Sequence, residues 1–282
     1  MKINNDITRP LLRYHGGKFL LAPWIISHFP AHRVYTEVFG GAASVLLQKA
    51  PSYAEVYNDL DLEVVNLFKV VRTRGRALIK ALKYTPFSRE EFILSYKPTK
   101  DVFEQARRTI VRSFMGFDSG AASGNMTGFR FNSNRSGTTP AHDWKNYPEA
   151  LDAIISRLQG VVIENRDALT VAKSVDGLET LHFFDPPYVP DTRYNGSKAK
   201  VYRYEMTSEQ HGDLCQTILN LKGAVVLCGY DNWIYNEMLK GWQKVKKDVR
   251  GDGAVYRTEV LWINPLAYES NLKSQRQNLL FQ

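Results

Sequence analysis

Short apolar runs alternate with longer amphipathic segments along most of the chain, a pattern that predicts strands and helices in turn. The predicted strands are 34–39, 54–57, 161–164, 181–184, 224–230, 242–249 and 258–263. The predicted helices are 20–29, 45–48, 62–71, 101–114, 147–158, 207–221 and 233–239. Because strands and helices alternate, we expect a mainly parallel sheet that ends in an antiparallel pair. The last fifteen residues are polar, and we expect them to be partly disordered.

One region breaks this alternation. Residues 75–147 predict an inserted region of helices and loops, which divides a main α/β domain into residues 1–74 and 148–282. From residue 116 onwards the insertion is rich in Gly, Ser and Asn, and residues 129–132 suit one arm of a hairpin.

Three side chains of the insertion are candidates for contact with bases. Arg130, Asn132 and Arg135 are of the residue types that bind guanine and adenine edges through two hydrogen bonds. The alternative is a surface loop without a binding role. A later loop, 189–204, interleaves basic and aromatic residues, which suits either contact with a nucleic-acid strand or a lid.

The segment Asp185-Pro186-Pro187-Tyr188 carries the most chemistry in the chain. It follows a buried strand, and the strand must end there because proline cannot donate hydrogen bonds to a neighbouring strand. The turn therefore holds a carboxylate, backbone carbonyls and an aromatic ring at the carboxyl end of a strand, where α/β sheets bind ligands. Such a group suits a planar ligand with an exocyclic amine. The alternative is a strand followed by a rigid turn.

Two glycine pairs could bring the backbone close to a ligand. Gly16-Gly17 precedes a helix and is followed by Lys18, but the surrounding residues do not fit the phosphate-binding P-loop pattern. Gly40-Gly41 follows the first strand, as in folds that bind a ligand at the sheet edge. Each pair taken alone is equally consistent with an ordinary turn.

Acidic residues follow the ends of several predicted strands. Asp59 lies 22 residues after Glu37, a spacing at which such folds hold ribose hydroxyls. The alternative for Asp59 is the N-cap of the helix that begins near Leu60. Asp167 and Asp185 follow two further strands, so the carboxyl edge of the sheet gathers three acids.

Composition narrows the class of protein. The 282 residues are 44% hydrophobic and 23% charged, as in an ordinary globular protein. No apolar run approaches the ~18 residues of a membrane span. The net charge of +8 favours a polyanionic partner or merely solubility. The two cysteines, Cys215 and Cys228, have no metal-site spacing, so we expect no metal and reduced thiols in a cytoplasm.

The ordered set of these motifs resembles the Dam-like adenine-N6-specific DNA methyltransferases of bacteria and phages. The resemblance covers most of the chain. It rests on residues 14–18, on 37–42, on Asn58-Asp59, on the central insertion, on Asp167 and above all on Asp185-Pro186-Pro187-Tyr188. The family often has a second glycine where this chain has Ala43.

This resemblance implies a Rossmann-like S-adenosylmethionine-dependent fold with an inserted target-recognition region. The implied substrate is adenine in double-stranded DNA, turned out of the helix, and the implied cofactor is S-adenosylmethionine. The implied cofactor-binding residues are Tyr14, His15, Lys18, Glu37, Phe39, Gly41, Asp59, Asp167 and Asp185, and the implied catalytic residues are Asp185, Pro186, Pro187 and Tyr188. We expect a monomer. The competing hypotheses are an RNA adenine methyltransferase and a DNA-binding protein without catalysis.

Overall fold

A computed structural model describes residues 3–117, 124, 126–132, 137–192, 202–250 and 256–280. Seven strands in this part of the chain form one sheet, in the order β3-β2-β1-β4-β5-β7-β6. The strands are β1 (Val34–Glu37), β2 (Ala54–Asn58), β3 (Val161–Glu164), β4 (Thr180–Phe184), β5 (Ala224–Tyr230), β6 (Gln243–Arg250) and β7 (Tyr256–Ile263). The first five run parallel, and β7 pairs antiparallel with both β5 and β6. The α/β class and the antiparallel closing pair are therefore confirmed.

Helices cover both faces of the sheet. They are α1 (Ala22–Ser27), α2 (Ser44–Gln48), α3 (Leu62–Lys83), α4 (Arg89–Leu94), α5 (Val102–Met115), α6 (Pro140–Asn146), α7 (Leu151–Arg157), α8 (Ala168–Ser174), α9 (Ser208–Leu219), α10 (Trp233–Met238) and α11 (Pro265–Leu280). Each predicted helix has a counterpart, although several begin or end a few residues away. Two separate clusters of buried apolar side chains lie against the sheet, as expected when helices pack on both faces.

Strand order places a topological switch at the centre of the sheet. β1 pairs with β2 on one side and with β4 on the other. The strands after β1 extend the sheet to one side, and those after β4 extend it to the other. Every residue of β4 is buried, which explains its nearly continuous apolar sequence. Its one ionisable side chain, His182, is held between Thr36 and Asp176, and burial lowers its pKa. Ligands bind at the carboxyl ends of strands beside such a switch.

The insertion packs on the main domain through α3. This helix runs through the predicted boundary at 74/75, with a non-helical backbone at Arg74 (φ −134°, ψ 25°). A side chain at Gly75 would come within 2.4 Å of Ile155 in α7, so the two helices approach closely because glycine is present. The domain division itself stays a prediction. Among the described residues, no helix is long and apolar enough to cross a membrane.

The carboxyl-terminal segment differs from the expected disorder. Residues 265–280 form α11, which begins against β5: Ala267 is fully buried, and Asn271 donates a hydrogen bond to the backbone oxygen of His28. The sequence pattern did not reveal this helix because the described contacts of its first two turns are made with parts of the chain that are distant in sequence.

Candidate active site

The carboxyl ends of β1, β2, β3 and β4 surround a cavity of about 370 Å³, a size within the usual range for cofactor pockets. Its lining includes nearly all the residues implied above for cofactor binding and catalysis: Tyr14, His15, Lys18, Glu37, Phe39, Gly41, Asp59, Asp167, Asp185 and Pro187. The fold thus brings these residues together from segments far apart in sequence. Their individual roles stay predictions.

The glycine turn after β1 forms part of the cavity wall. A side chain at Gly40 would overlap the Tyr57 ring, with contacts as short as 2.1 Å, and Gly41 (φ +46°) lies against the ring of Tyr14. Both positions therefore require glycine. Ala43 has a left-handed backbone (φ 51°, ψ 36°) immediately before α2. Glycine adopts this left-handed conformation more readily than alanine does.

Asp59 holds the glycine turn in place and does not cap a helix. Its carboxylate oxygens accept hydrogen bonds from the backbone N–H groups of Gly41 at 2.8 Å and Asp61 at 2.7 Å. Helix α3 begins at Leu62, and its N-cap is Asp61, so the alternative of Asp59 as N-cap is wrong. Burial raises the pKa of Asp59 to about 6, although the two N–H donors oppose this effect.

Glu37 lies at the end of β1, beneath the same turn, and is almost fully buried. One carboxyl oxygen accepts hydrogen bonds from the Tyr35 hydroxyl at 2.9 Å and from the backbone N–H of Leu46 at 2.7 Å. Burial raises the pKa of Glu37 to about 8. The cavity thus contains acidic groups whose ionised forms would be favoured by a cation.

Asp185 directly follows β4 and is paired with Lys18. The Lys18 Nζ lies 3.0 Å from Asp185 Oδ1, and it also donates to the backbone oxygen of Gly16 at 2.6 Å. Burial raises the pKa of Asp185 to about 6, against the lowering effect of Lys18. Burial alone would lower the pKa of Lys18, but Asp185 and Glu259 outweigh it and raise that pKa well above its usual range. A positively charged amine therefore already lies beside the carboxylate.

Tyr188 completes this group but faces a different set of neighbours. Lys18 Nζ lies 4.8 Å from the centre of its ring, and the ring of Tyr230 meets it edge-on at 4.6 Å. The Tyr188 hydroxyl donates to Glu259 Oε2 at 2.6 Å and lies 3.4 Å from Cys228 Sγ. Pro186, between Asp185 and Pro187, is buried.

Asp167 and His15 lie at the rim of the cavity. Asp167 is the N-cap of α8 and accepts hydrogen bonds from the backbone N–H and the hydroxyl of Thr170, at 2.8 and 2.7 Å. His15 meets the ring of Tyr202 edge-on at 5.5 Å. Tyr202 belongs to the 189–204 loop, so the described end of this loop contributes to the cavity lining. The lid hypothesis itself stays a prediction.

Several lining residues were not identified from the sequence. They are Ser44, Asp61, Tyr202, Arg203, Met206, Gln210 and Asp213 among others. Arg203 pairs with Asp61 at 2.9 Å and with Glu63 at 3.2 Å. These ion pairs link the 189–204 loop to the start of α3. The Thr207–Gln210 capping box at the start of α9 is visible in the sequence, but its proximity to the cavity is not.

Arg130 and Asn132, two of the three candidate base-contacting residues, are not part of the cavity lining. The backbone N–H of Arg130 donates to the oxygen of Met115 at 2.7 Å, and its guanidinium is 3.9 Å from Asp143. Asn132 is exposed. Arg135 lies outside the described residues. Only an isolated bridge, between Gly116 and Phe129, represents the expected hairpin in the described part of the insertion.

Within the described ranges, no group of three or more His, Cys, Asp or Glu side chains could hold a metal ion. The family model for D12 class N6 adenine-specific DNA methyltransferases matches residues 14–249. This range includes the glycine turns, the insertion and Asp185 with its two prolines. Because the match covers most of the 282 residues, the chain belongs to the D12 class of N6 adenine-specific DNA methyltransferases.

Proposed function

We propose that this DNA adenine methyltransferase binds S-adenosylmethionine in the cavity at the sheet edge and methylates an adenine turned out of double-stranded DNA, with Asp185 binding the adenine amine. Family membership gives the activity and implies the methyl donor. The observation that carries the residue assignment is the position of Asp185. Its carboxylate both lines the cavity and binds an amine, that of Lys18.

The cavity has groups that fit the parts of this cofactor. Asp59 offers carboxylate oxygens for ribose hydroxyls, and Phe39 offers an apolar surface for a base. The buried hydroxyl of Ser44 has no hydrogen-bond partner among the described residues, so a polar ligand atom would satisfy it. The acidic groups Glu37 and Asp59 suit a cofactor that carries positive charge. When bound, S-adenosylmethionine supplies a methyl group on an electrophilic sulfonium.

The adenine amine is a poor nucleophile because its lone pair is delocalised into the ring. The Asp185 carboxylate and the Pro186 carbonyl would each accept one of the two N6 hydrogens, which favours a pyramidal nitrogen with an available lone pair. Fixing the amine in this orientation supplies much of the acceleration. The proton that N6 releases would pass to Asp185 or to water. For this role Asp185 must be ionised, and the charge of Lys18 favours that form.

The target base must leave the duplex because N6 lies in its interior. Flipping costs a few kcal/mol, and stacking on Tyr188 would return on the order of 1–3 kcal/mol. The insertion, through Arg130, Asn132 and Arg135, would supply further contacts with DNA. The net charge of +8 favours binding to the phosphate backbone. We expect the protein to act as a monomer in the cytoplasm.

Replacing Asp185 separates catalysis from DNA binding. Asp185→Ala should abolish methyl transfer, because the amine loses its acceptor. It should leave duplex affinity nearly unchanged, because in the proposed role the carboxylate binds the adenine amine and not the phosphate backbone. The measurement is methyl transfer from labelled S-adenosylmethionine together with a DNA-binding titration. The matched control is Asp152→Ala, at an exposed position of α7. Ordinary turnover by Asp185→Ala would refute the assignment.

The ionisation of Asp185 predicts a pH dependence. With a pKa of about 6, the carboxylate becomes protonated as pH falls through 6, so kcat/KM should fall about tenfold per pH unit below that point. Lys18 lowers this pKa, whereas Glu259 raises it. Lys18→Met should therefore move the acidic limb of the pH profile towards neutral pH. A limb at the same pH in both proteins would show that another group titrates.

The base-contacting role of the insertion is tested at Arg130 and Arg135. Arg130→Ala and Arg135→Ala should each weaken DNA binding or change sequence preference by roughly 1–3 kcal/mol of discrimination. The measurement is methylation across a library of duplexes with randomised target sequences. The control is Arg33→Ala, which precedes β1 at the opposite edge of the sheet and lies over Tyr53. If neither variant differs from the control, the base-contacting residues lie elsewhere.

A further inference from the structure

We propose that Glu259 is a positioning residue for methyl transfer, which acts by binding the hydroxyl of Tyr188 and thereby directing the ring on which the target base stacks. This proposal rests on the proposed stacking role of Tyr188. Glu259 belongs to β7, in the antiparallel part of the sheet, 71 positions after Tyr188 in the chain. Neither its sequence surroundings nor the cavity lining identifies it as part of the site.

The contact between the two side chains is short and sheltered. The Tyr188 hydroxyl donates to Glu259 Oε2 at 2.6 Å, and Glu259 is 7% exposed. In the β5–β7 register Glu259 lies opposite Tyr230, the residue whose ring meets Tyr188 edge-on at 4.6 Å. Cys228, two residues earlier on β5, has its sulfur 3.7 Å from the same carboxyl oxygen. One strand pair therefore presents both the acceptor and the supporting ring.

The contacts of Tyr188 restrict different motions of its ring. The hydroxyl lies on the long axis of the tyrosine ring, so its hydrogen bond fixes the direction in which the axis points. It leaves rotation about that axis free. The edge of Tyr230 restricts that rotation, and Lys18, 4.8 Å from the ring centre, lies above one face. The hydroxyl also lies 3.4 Å from Cys228 Sγ and hydrogen-bonds with Asp185. Removal of the Glu259 acceptor would therefore loosen the direction of the axis, while these contacts and the apolar packing remained.

A carboxyl group at position 259 has an electrostatic cost, so its presence needs a compensating contact. Burying a carboxyl group is costly unless its oxygens accept hydrogen bonds, and Glu259 also raises the pKa of Asp185, which disfavours the ionised form that the reaction needs. An apolar side chain at this position would avoid both effects. Two neighbours gain from the carboxyl group. Its charge favours the protonated form of Lys18, and its oxygen accepts the hydrogen bond of the Tyr188 hydroxyl at a partly buried position.

The test is a double-mutant cycle on kcat. Glu259→Leu removes the acceptor and should lower kcat about tenfold, the value of one hydrogen bond to a carboxylate. Tyr188→Phe removes the donor and should lower kcat to a similar extent. The kcat of the double variant Tyr188→Phe/Glu259→Leu should be no lower than that of the worse single variant, because both changes break the same Tyr188–Glu259 hydrogen bond. Losses that multiply to about a hundredfold would overturn the proposal.

Conservative replacement separates the hydrogen bond from the charge. Glu259→Gln keeps an acceptor oxygen, so its loss of kcat should be clearly smaller than that of Glu259→Leu. Equal losses would show that the charge matters rather than the bond and would overturn the proposal. The KM for S-adenosylmethionine should not change in these variants, because Glu259 does not line the cavity. Glu237→Gln, exposed on α10 and paired with Lys240, is the control and should match the unchanged protein.

Thermal unfolding of each variant shows whether a loss of kcat comes from a failure to fold. If Glu259→Leu does not fold, Tyr188→Phe still tests the bond from its other end, and wild-type kcat in Tyr188→Phe would refute the proposal. Tyr188→Ala distinguishes this proposal from the proposed function. A large loss in Tyr188→Ala with no loss in Tyr188→Phe or Glu259→Leu would leave base stacking in place and reject the role of Glu259. No loss in Tyr188→Ala would reject stacking itself.

Discussion

The end of strand β4 is the constraint on which the site depends. Pro186 and Pro187 cannot extend the hydrogen-bonded ladder, so β4 stops at Phe184 and the next side chain, Asp185, stands at the carboxyl edge. Because β4 is buried on both faces and pairs with β1 and β5, its position is fixed from both sides. Asp185 therefore occupies a defined point at the topological switch, and the cavity forms beside it.

Several ionisable side chains that are costly to bury lie around Asp185. The pKa values of Asp59 and Asp185 are raised to about 6 and that of Glu37 to about 8, in each case chiefly by burial. Lys18 offsets part of this cost at Asp185. Such a group of acids is poised to gain from a positively charged ligand, as the cofactor of this enzyme family is. In the proposed function, specificity for an amine and affinity for a cationic cofactor would both arise from this surplus of buried carboxyl groups.

The sequence predicts the framework of this site but not all its parts. The Asp-Pro-Pro-Tyr turn and the Gly40-Gly41 turn can be read locally because proline and glycine restrict or permit backbone conformations by themselves. The parallel sheet follows from the alternation of elements. By contrast, Asp59 and Asp61 are both plausible N-caps in sequence, and only the hydrogen bond from Gly41 to Asp59 separates their roles. Glu259 and Ser44 are brought to the site by strand register and helix packing, which no local pattern encodes.

We propose that Asp185 and its neighbours act on the exocyclic amine of adenine in DNA. The most direct measurement is mass spectrometry of the nucleosides from duplex DNA and from RNA of the same sequence, each incubated with the protein and methyl-labelled S-adenosylmethionine. We expect labelled N6-methyldeoxyadenosine from the duplex and little labelled product from the RNA if Asp185 has this role. Label on cytosine, or label on RNA adenine alone, would contradict it.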